Sequence, residues 1–184
     1  MNTITPTPKH DNQAGGQRSG AGGQRRGHGG GRASFGRRER VKPEYDQKTL
    51  DVRRVARVMK GGKRFSFLIT MVIGNRRGKV GLGLGKGADV SLAMEKATRD
   101  AKKHMIELKL TKTMSIPHEL RAKHCSSEIL MWPARGRGLA AGSSARAILT
   151  LAGVHDVGAK IRSKSKNKLN NARATMLALS AIAA

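Results

Sequence analysis

A glycine-rich run is the first candidate for chemistry in this sequence. Gly81-Leu82-Gly83-Leu84-Gly85-Lys86-Gly87 follows a predicted strand and precedes a helical pattern, as phosphate-binding loops do. The P-loop pattern is not met, because the spacing is too short and Gly87 stands where Ser or Thr is required. Gly83–Ala88 matches the loose G-x-G-x-x-A form, but no parallel β-α-β unit with an acidic ribose ligand accompanies it. We expect no nucleotide cofactor, and a tight turn with Lys86 near a helix N-terminus would instead contact a phosphate group of a partner.

Cys125, with His124 beside it and His118 nearby, is the second candidate. One cysteine without further ligands does not make a zinc site, and nothing in the sequence completes a catalytic Cys–His pair. The 12 Asp and Glu residues are scattered, so general acid–base catalysis has no evident place. The single cysteine also excludes an intramolecular disulfide and is typical of a reducing compartment. We predict a protein with no catalytic residues, no cofactor and no metal.

The dominant property of the chain is its positive charge. Lys and Arg number 37 against 12 acidic residues, which gives a formal net charge of +25 and a pI near 11.6. A body with so much like charge repels itself unless a polyanion neutralises it, and nucleic acid is the obvious partner. A membrane is disfavoured because no stretch approaches the roughly 18 apolar residues of a spanning helix. With no apolar signal segment at the N-terminus, we expect a cytoplasmic protein.

The aromatic content limits how RNA could be bound. Aromatic residues make up 3% of the chain, too few for base stacking to be the main mode of recognition. Phe65 and Phe67 are predicted to share one sheet face and to pack in the core. The cations concentrate at the turns 60–64, 74–79, 135–137 and 160–168, which favours recognition of the shape and phosphates of structured RNA.

The elements that would position these residues begin after a tail. Residues 1–43 are rich in Gly, Arg, Gln and Ser and carry too little apolar surface to fold alone; they are either a solvated tail or an arm that lies along RNA. From about Asp51, two apolar runs and the following 79–83 segment predict a three-stranded antiparallel sheet, with turns at 60–64 and 74–78. A helix is predicted from the N-cap Asp89 to Leu108.

This helix has an apolar stripe and a cationic side. The stripe comprises Val90, Ala93, Met94, Ala97, Ala101, Met105 and Leu108. Lys96, Arg99, Lys102 and Lys103 lie away from it and either face phosphate or are merely solvated.

A second unit follows a connection at 111–117. It contains a short apolar run at 129–132, a helix near 144–151, a strand at 154–161, a basic loop at 162–168 and a terminal helix at 171–183. This order predicts an α/β domain. The domains are therefore 1–43, 44–110 and 111–184.

Five segments in this order resemble the family of the fifth protein of the small ribosomal subunit, in its bacterial form. They are spread across roughly residues 44–184, whereas the tail lies outside them. The matching stretches are Val55…Lys60-Gly61-Gly62-Lys63-Arg64-Phe65-Ser66-Phe67, then Gly78–Lys86, Pro133-Ala134…Gly136-Arg137-Gly138, Arg146–Val157, and Ser165…Asn167…Asn170…Arg173-Ala174-Thr175.

The resemblance implies an α+β fold. Its first domain would be a three-stranded sheet with a helix, similar to double-stranded-RNA-binding domains. Its second would be an α/β domain with a left-handed β-α-β crossover. It also implies binding to small-subunit ribosomal RNA at the junction of body and head, near the path by which messenger RNA enters, with an influence on decoding accuracy. Partners would be the subunit's fourth and eighth proteins. The expected RNA-binding residues are Arg54, Lys60, Gly61, Gly62, Lys63, Arg64, Arg76, Arg77, Lys86, Arg137, Lys160, Arg162, Lys164 and Lys166.

This sequence departs from the family pattern at several positions. Residues 133–138 are one residue shorter than is common, and Glu128 stands where Arg is often found near the interface with the fourth protein. Lys164 and Lys168 replace a usual Gly and Pro. Two other functions fit parts of the same sequence: an RNA chaperone or nucleoid-type binder fits the charge and the tail, and a nucleotide-using enzyme fits the glycine run.

Overall fold

A computed structural model describes residues 44–183 of the chain; the predicted tail 1–43 lies outside the described residues. The elements of the first half are β1 (Asp46–Met59), β2 (Gly62–Gly74), β3 (Lys79–Gly87), α1 (Val90–Lys103) and β4 (Met105–Glu107). The strands form a four-stranded antiparallel sheet in the order β1-β2-β3-β4. A two-residue turn, Lys60-Gly61, joins β1 to β2, with Met59 paired to Gly62.

Helix α1 lies directly on the backbone of β3. A Cβ added at Gly83 would be 2.1 Å from the carbonyl oxygen of Ala97, and one at Gly85 would be 2.1 Å from that of Ala93. Ala93, Ala97 and Ala101 are fully buried on the facing side of the helix. The glycine run is therefore a packing surface inside a strand, because only residues without a side chain allow this approach. The predicted tight turn is wrong, because these residues lie in the extended strand β3.

The second half is a three-stranded antiparallel sheet in the order β5-β6-β7. Around helix α2 there is one parallel pairing among residues 44–183, an isolated bridge between Ala140 and Gly158. The elements are β5 (Leu120–His124), β6 (Ser127–Pro133), α2 (Ser143–Ala152), β7 (Val157–Ile161) and α3 (Lys168–Ser180). The α+β class is confirmed.

The two halves share one core. Val72 and Val80 of the first sheet pack in the same cluster as Ile148 of α2 and Leu179 of α3. The turn between β2 and β3 closes the C-terminal end of α2. In it, the backbone N–H of Arg76 donates to the carbonyl oxygen of Leu151 at 2.9 Å. This hydrogen bond satisfies a carbonyl group that the end of a helix otherwise leaves without a partner.

In the first domain, the predicted end of the helix and part of its predicted apolar stripe are wrong. The helix predicted to run to Leu108 ends at Lys103, and Met105 then pairs with Gly81 as the start of a fourth strand. Apolar spacing of three and four continued past the helix end, so it did not mark the change. Val90 and Met94 of the predicted stripe are more than a third exposed, because the contact with the glycine strand is made by the alanines.

In the second domain the sequence did not predict β5, a five-residue edge strand in which basic residues alternate with Leu and Ala. The strand predicted from 154 begins at Val157, since Gly153 ends α2 in a left-handed conformation at φ 76°. The last helix begins at Lys168 rather than 171, where the Asn167 side chain accepts a hydrogen bond from the N–H of Leu169. It ends at Ser180 rather than 183.

Candidate nucleic-acid interface

The β1–β2 hairpin extends beyond the rest of the sheet. The last residue of β2 that pairs with β3 is Phe67, opposite Gly87. Residues 55–66 therefore form a two-stranded projection, which we call the hairpin arm. At about 3.3 Å per residue, its five residues per strand extend roughly 16 Å. Nearly all of these side chains are exposed, so the arm is available to a partner on both sides.

The strand register defines two faces of the arm. Arg57 lies directly opposite Arg64, and Val55 lies opposite Ser66. We call this side, extended by Arg53 at its base, the cationic face. Like charges directly opposite one another destabilise a strand pair, and the sequence has no Asp or Glu between Asp51 and Asp89. An anionic partner would remove this repulsion.

A cross-strand row links the base of the cationic face to Lys86. Arg53 pairs with Leu68, and Leu68 pairs with Lys86 on the other side. Because residues opposite one another share a face, Lys86 lies on the side of Arg53, about 10 Å away across two strand spacings. Lys86 faces away from α1, because α1 packs on the glycines that alternate with Lys86 along β3. Lys86 is thus a surface cation of the sheet and not part of a helix N-terminal site.

The basic loop 162–167 reaches the same surface. A guanidinium nitrogen of Arg53 donates to the side-chain oxygen of Asn167 at 3.3 Å, and the Lys168 ammonium is 3.6 Å from a carboxylate oxygen of Asp51. Lys164 and Lys166 are exposed in this loop. The loop is held by the Asn171 amide, which donates to the Ser165 carbonyl oxygen at 3.1 Å. Two segments more than 100 residues apart in sequence thus form one cationic surface.

Arg53 and Arg57 belong to this surface, but they were not among the RNA-binding residues predicted from the sequence. The alternation of side chains along a strand could have indicated them, because residues 53, 55 and 57 share one face of an extended strand. Arg54, which was selected, lies on the opposite face, and its Cζ is 3.6 Å from the centroid of the Phe65 ring. Phe65 itself is 49% exposed. The expectation that it packs in the core is wrong, because the arm projects beyond α1.

The other predicted sites lie elsewhere. Arg76 and Arg77 are at the opposite end of β2, about 40 Å of strand from the hairpin tip. There Arg76 forms an exposed ion pair with Asp46 at 2.7 Å. Arg137 sits between Gly136 and Gly138, both at positive φ. Lys160 is the penultimate residue of β7, and the N–H of Arg162 donates to the carbonyl oxygen of Glu128 at 2.9 Å. The structure brings together the arm, Lys86, Lys164 and Lys166, but not the turn 74–78.

The remaining chemical candidates give no site within residues 44–183. Cys125 is exposed in the β5–β6 turn. No group of three or more His, Cys, Asp or Glu side chains in this part of the chain could hold a metal ion. None of the helices described here has the length and apolar composition needed to cross a bilayer. The cationic surface is therefore the candidate binding site, and its partner is expected to be anionic.

Comparison with known proteins finds matches across most of the chain. Residues 45–109 match the family model described as Ribosomal protein S5, N-terminal domain, and residues 122–184 match Ribosomal protein S5, C-terminal domain. The chain is 47% identical over 140 residues to "Small ribosomal subunit protein uS5c" of Cyanophora paradoxa, covering 76% of this chain and 82% of the relative. It is 45% identical over 140 residues to "Small ribosomal subunit protein uS5" of Thermosynechococcus vestitus, covering 76% and 80%. It is 43% identical over 147 residues to the protein of that name in Trichormus variabilis, covering 79% and 84%.

Proposed function

The chain belongs to the ribosomal protein S5 family, whose members are structural components of the small subunit rather than enzymes, and we propose that it binds small-subunit ribosomal RNA through the cationic surface built on the hairpin arm. In the assembled particle it lies near the junction of body and head, beside the path by which messenger RNA enters. From there it supports the accuracy of translation. Its location is the ribosome of the cytoplasm.

The observation that carries this proposal is the directly opposed pair Arg57 and Arg64, continued by Arg53, Lys86 and the 162–167 loop. Each Lys or Arg that neutralises a phosphate releases condensed counterions, which favours binding without base recognition. Contact with phosphate also relieves the repulsion within the arm. The arm is then more stable in the complex than in the free protein.

The domain architecture extends this proposal. Residues 44–110 act as a domain similar to double-stranded-RNA-binding domains, with the arm as its projecting RNA contact. Residues 111–184 act as an α/β domain with a left-handed β-α-β crossover; the parallel bridge between Ala140 and Gly158, on either side of α2, supports a β-α-β connection there. Residues 1–43 contribute an additional basic arm along the RNA.

The protein partners we propose are the fourth and eighth proteins of the subunit, with messenger RNA nearby. The β5–β6 hairpin is the candidate surface for the fourth protein. On it, a guanidinium nitrogen of Arg121 is 2.6 Å from a carboxylate oxygen of Glu128. Because Glu128 is engaged by Arg121, the acidic residue adds no free negative charge to this hairpin, and a partner surface need not carry a matching cation.

Cosedimentation tests the proposal. Small subunits washed free of this protein at high salt are mixed with the full-length chain and separated on a gradient. One copy per particle, retained at moderate salt and lost at high salt, is expected because phosphate contacts weaken as salt rises. Loose association below one copy per particle would instead favour an RNA chaperone. A Lys60→Ala, Lys63→Ala, Arg64→Ala variant should fold normally and bind more weakly.

A further inference from the structure

The second face of the hairpin arm differs in chemistry from the cationic face. Phe65 lies opposite Ala56, and Val58 lies opposite Lys63. Phe65 is 49% and Val58 69% exposed, so large apolar side chains are presented to water on a projection that has no core to cover. Large exposed apolar side chains grouped on one face of a projection indicate a surface that a partner covers. We call this side, with Arg54 at its base, the aromatic face.

Arg54 and Phe65 form a stack on this face. In the strand register Arg54 pairs with Phe67, so Phe65 is its diagonal neighbour. The guanidinium carbon of Arg54 lies 3.6 Å from the centroid of the Phe65 ring, within the range of a cation–π contact. Ala56, the direct partner of Phe65, is small and leaves room for this arrangement. The contact orients the flat guanidinium group, and planar groups of this kind also stack on nucleobases.

We propose that Arg54 and Phe65 form a stacking site for one unpaired nucleobase of RNA, while the cationic face of the same arm contacts phosphates. The site rests on the proposed function, since it requires the arm to lie against RNA. A base presents a flat π-surface that stacks on aromatic rings and on guanidinium groups. Lys63, on the same face, is available for the phosphate of that nucleotide. One arm then uses two kinds of contact on two sides.

The charge of the arm selects RNA over protein as the occupant. Arg54 and Lys63 lie on the aromatic face and Lys60 lies in the adjoining turn, and the sequence offers no acidic residue between Asp51 and Asp89 to balance them. An apolar protein surface that covered Phe65 would have to desolvate these cations without neutralising them, which is costly. A nucleotide supplies the base and the negative charge together.

Salt dependence separates the two faces experimentally. Binding of the full-length protein to small subunits depleted of it is measured over a range of salt concentrations. Phe65→Leu and Arg54→Lys keep the charge but remove the ring or the planar group. Each should weaken binding by about five- to tenfold at every salt concentration and leave the salt slope unchanged, because stacking is not a counterion effect. Lys60→Ala should make the slope of log affinity against log salt concentration shallower by roughly 0.7–0.9, because one phosphate contact is lost.

A matched control is available on α3. Leu177 is 50% exposed, close to the exposure of Phe65, and Leu177→Ala should change neither affinity nor slope. The melting temperatures of the variants are compared first, so that a loss of binding is not a loss of folding. A Phe65→Trp variant keeps an aromatic ring and should retain most of the affinity even if the leucine variant is destabilised.

Chemical probing of the RNA identifies what covers the ring. In depleted subunits supplemented with wild-type protein, at least one unpaired base should become protected from dimethyl sulfate or a uridine-specific reagent. With Phe65→Leu that base should regain reactivity, while hydroxyl-radical protection of the neighbouring riboses persists. Unchanged base protection and affinity in Phe65→Leu would overturn the stacking site. So would weaker binding without any change in base reactivity, which would assign the aromatic face to a protein neighbour. In both cases the wild-type protein still binds one per particle, so the proposed function stands separately; failure of that binding would refute both.

Discussion

Replacing Gly83 with alanine tests the packing of α1 on the glycine strand. An added Cβ would lie 2.1 Å from the Ala97 carbonyl oxygen, 2.4 Å from the Ala101 backbone nitrogen and 2.7 Å from the Ala101 Cβ. The oxygen contact has to lengthen by about 1 Å to reach an ordinary separation of roughly 3.2 Å. Two of the three atoms belong to the helix backbone, so no side-chain rotation relieves the overlap. The helix itself must move away from the sheet.

Moving the helix is costly because Ala93, Ala97 and Ala101 are fully buried against the sheet. Overpacking of a core typically costs 1–3 kcal/mol, and we expect about 3 kcal/mol here because the obstructing atoms are rigid. For a folded region of this size, that corresponds to a fall in melting temperature of roughly 6–12 °C. Urea unfolding followed by circular dichroism gives the free energy directly.

Gly61→Ala is the matched control. It makes the same chemical change in the turn of the arm, where an added Cβ meets nothing within 4 Å. Its free energy of unfolding should stay within about 0.5 kcal/mol of wild type, or rise slightly through the restricted unfolded chain. Equal stability of the two variants would refute the direct packing of α1 on β3. A Gly83→Ala protein of normal stability with weakened RNA binding would instead return the glycine run to the role of a phosphate contact.

Three further outcomes are expected. Arg57→Ala should weaken binding to depleted small subunits and lower its salt slope by roughly 0.7–0.9, while stability is unchanged or rises by about a few tenths of a kcal/mol because the opposed Arg64 loses a like charge; a clear loss of stability would show that the pair is not repulsive. Asn167→Ala should cost about 1 kcal/mol in denaturant unfolding, since it removes the cap of α3; an unchanged midpoint would argue against the cap. Gly158→Ala should displace the indole of Trp132, because an added Cβ would lie 2.6 Å from its Cε2. As the chain has one tryptophan, its emission maximum reports the change directly, and an unaltered spectrum would contradict the close contact.

Local pattern was enough to predict the hairpin and the positions of most elements. Alternating residues and the Lys60-Gly61 turn determine the β1–β2 pair almost by themselves, because neighbouring strands with a short turn need no distant information. The same local signals failed where a helix and the strand after it show the same apolar spacing. Apolar residues at 101, 105 and 108 continue the helical spacing, yet Met105 belongs to a strand that is completed only by pairing with Gly81.

The glycine run illustrates a different limit. Four glycines alternating with Leu and Lys are compatible with a turn that exposes amides and with a strand that accepts a helix. What decides between them is the row of Ala93, Ala97 and Ala101, which forms a flat helix surface that fits a strand without side chains. Each half of this contact was visible in the sequence. Their complementarity is a property of the pair and becomes evident only when both are placed in space.

The candidate site was predicted as separate loops, and its unity depends on long-range contacts. Arg53 meets Asn167 across 114 residues of sequence, and no periodicity within either segment indicates the other. This arrangement explains why the cations of β1 are not interchangeable: Arg53 and Arg57 lie on the face that carries Lys86, and Arg53 contacts the loop 162–167, whereas Arg54 stacks on Phe65. A single strand therefore divides its positive charge between two faces. Since a one-residue shift of register would exchange those faces, the pairing of β1 with β2 determines which cations meet phosphate and which one is left beside the aromatic ring.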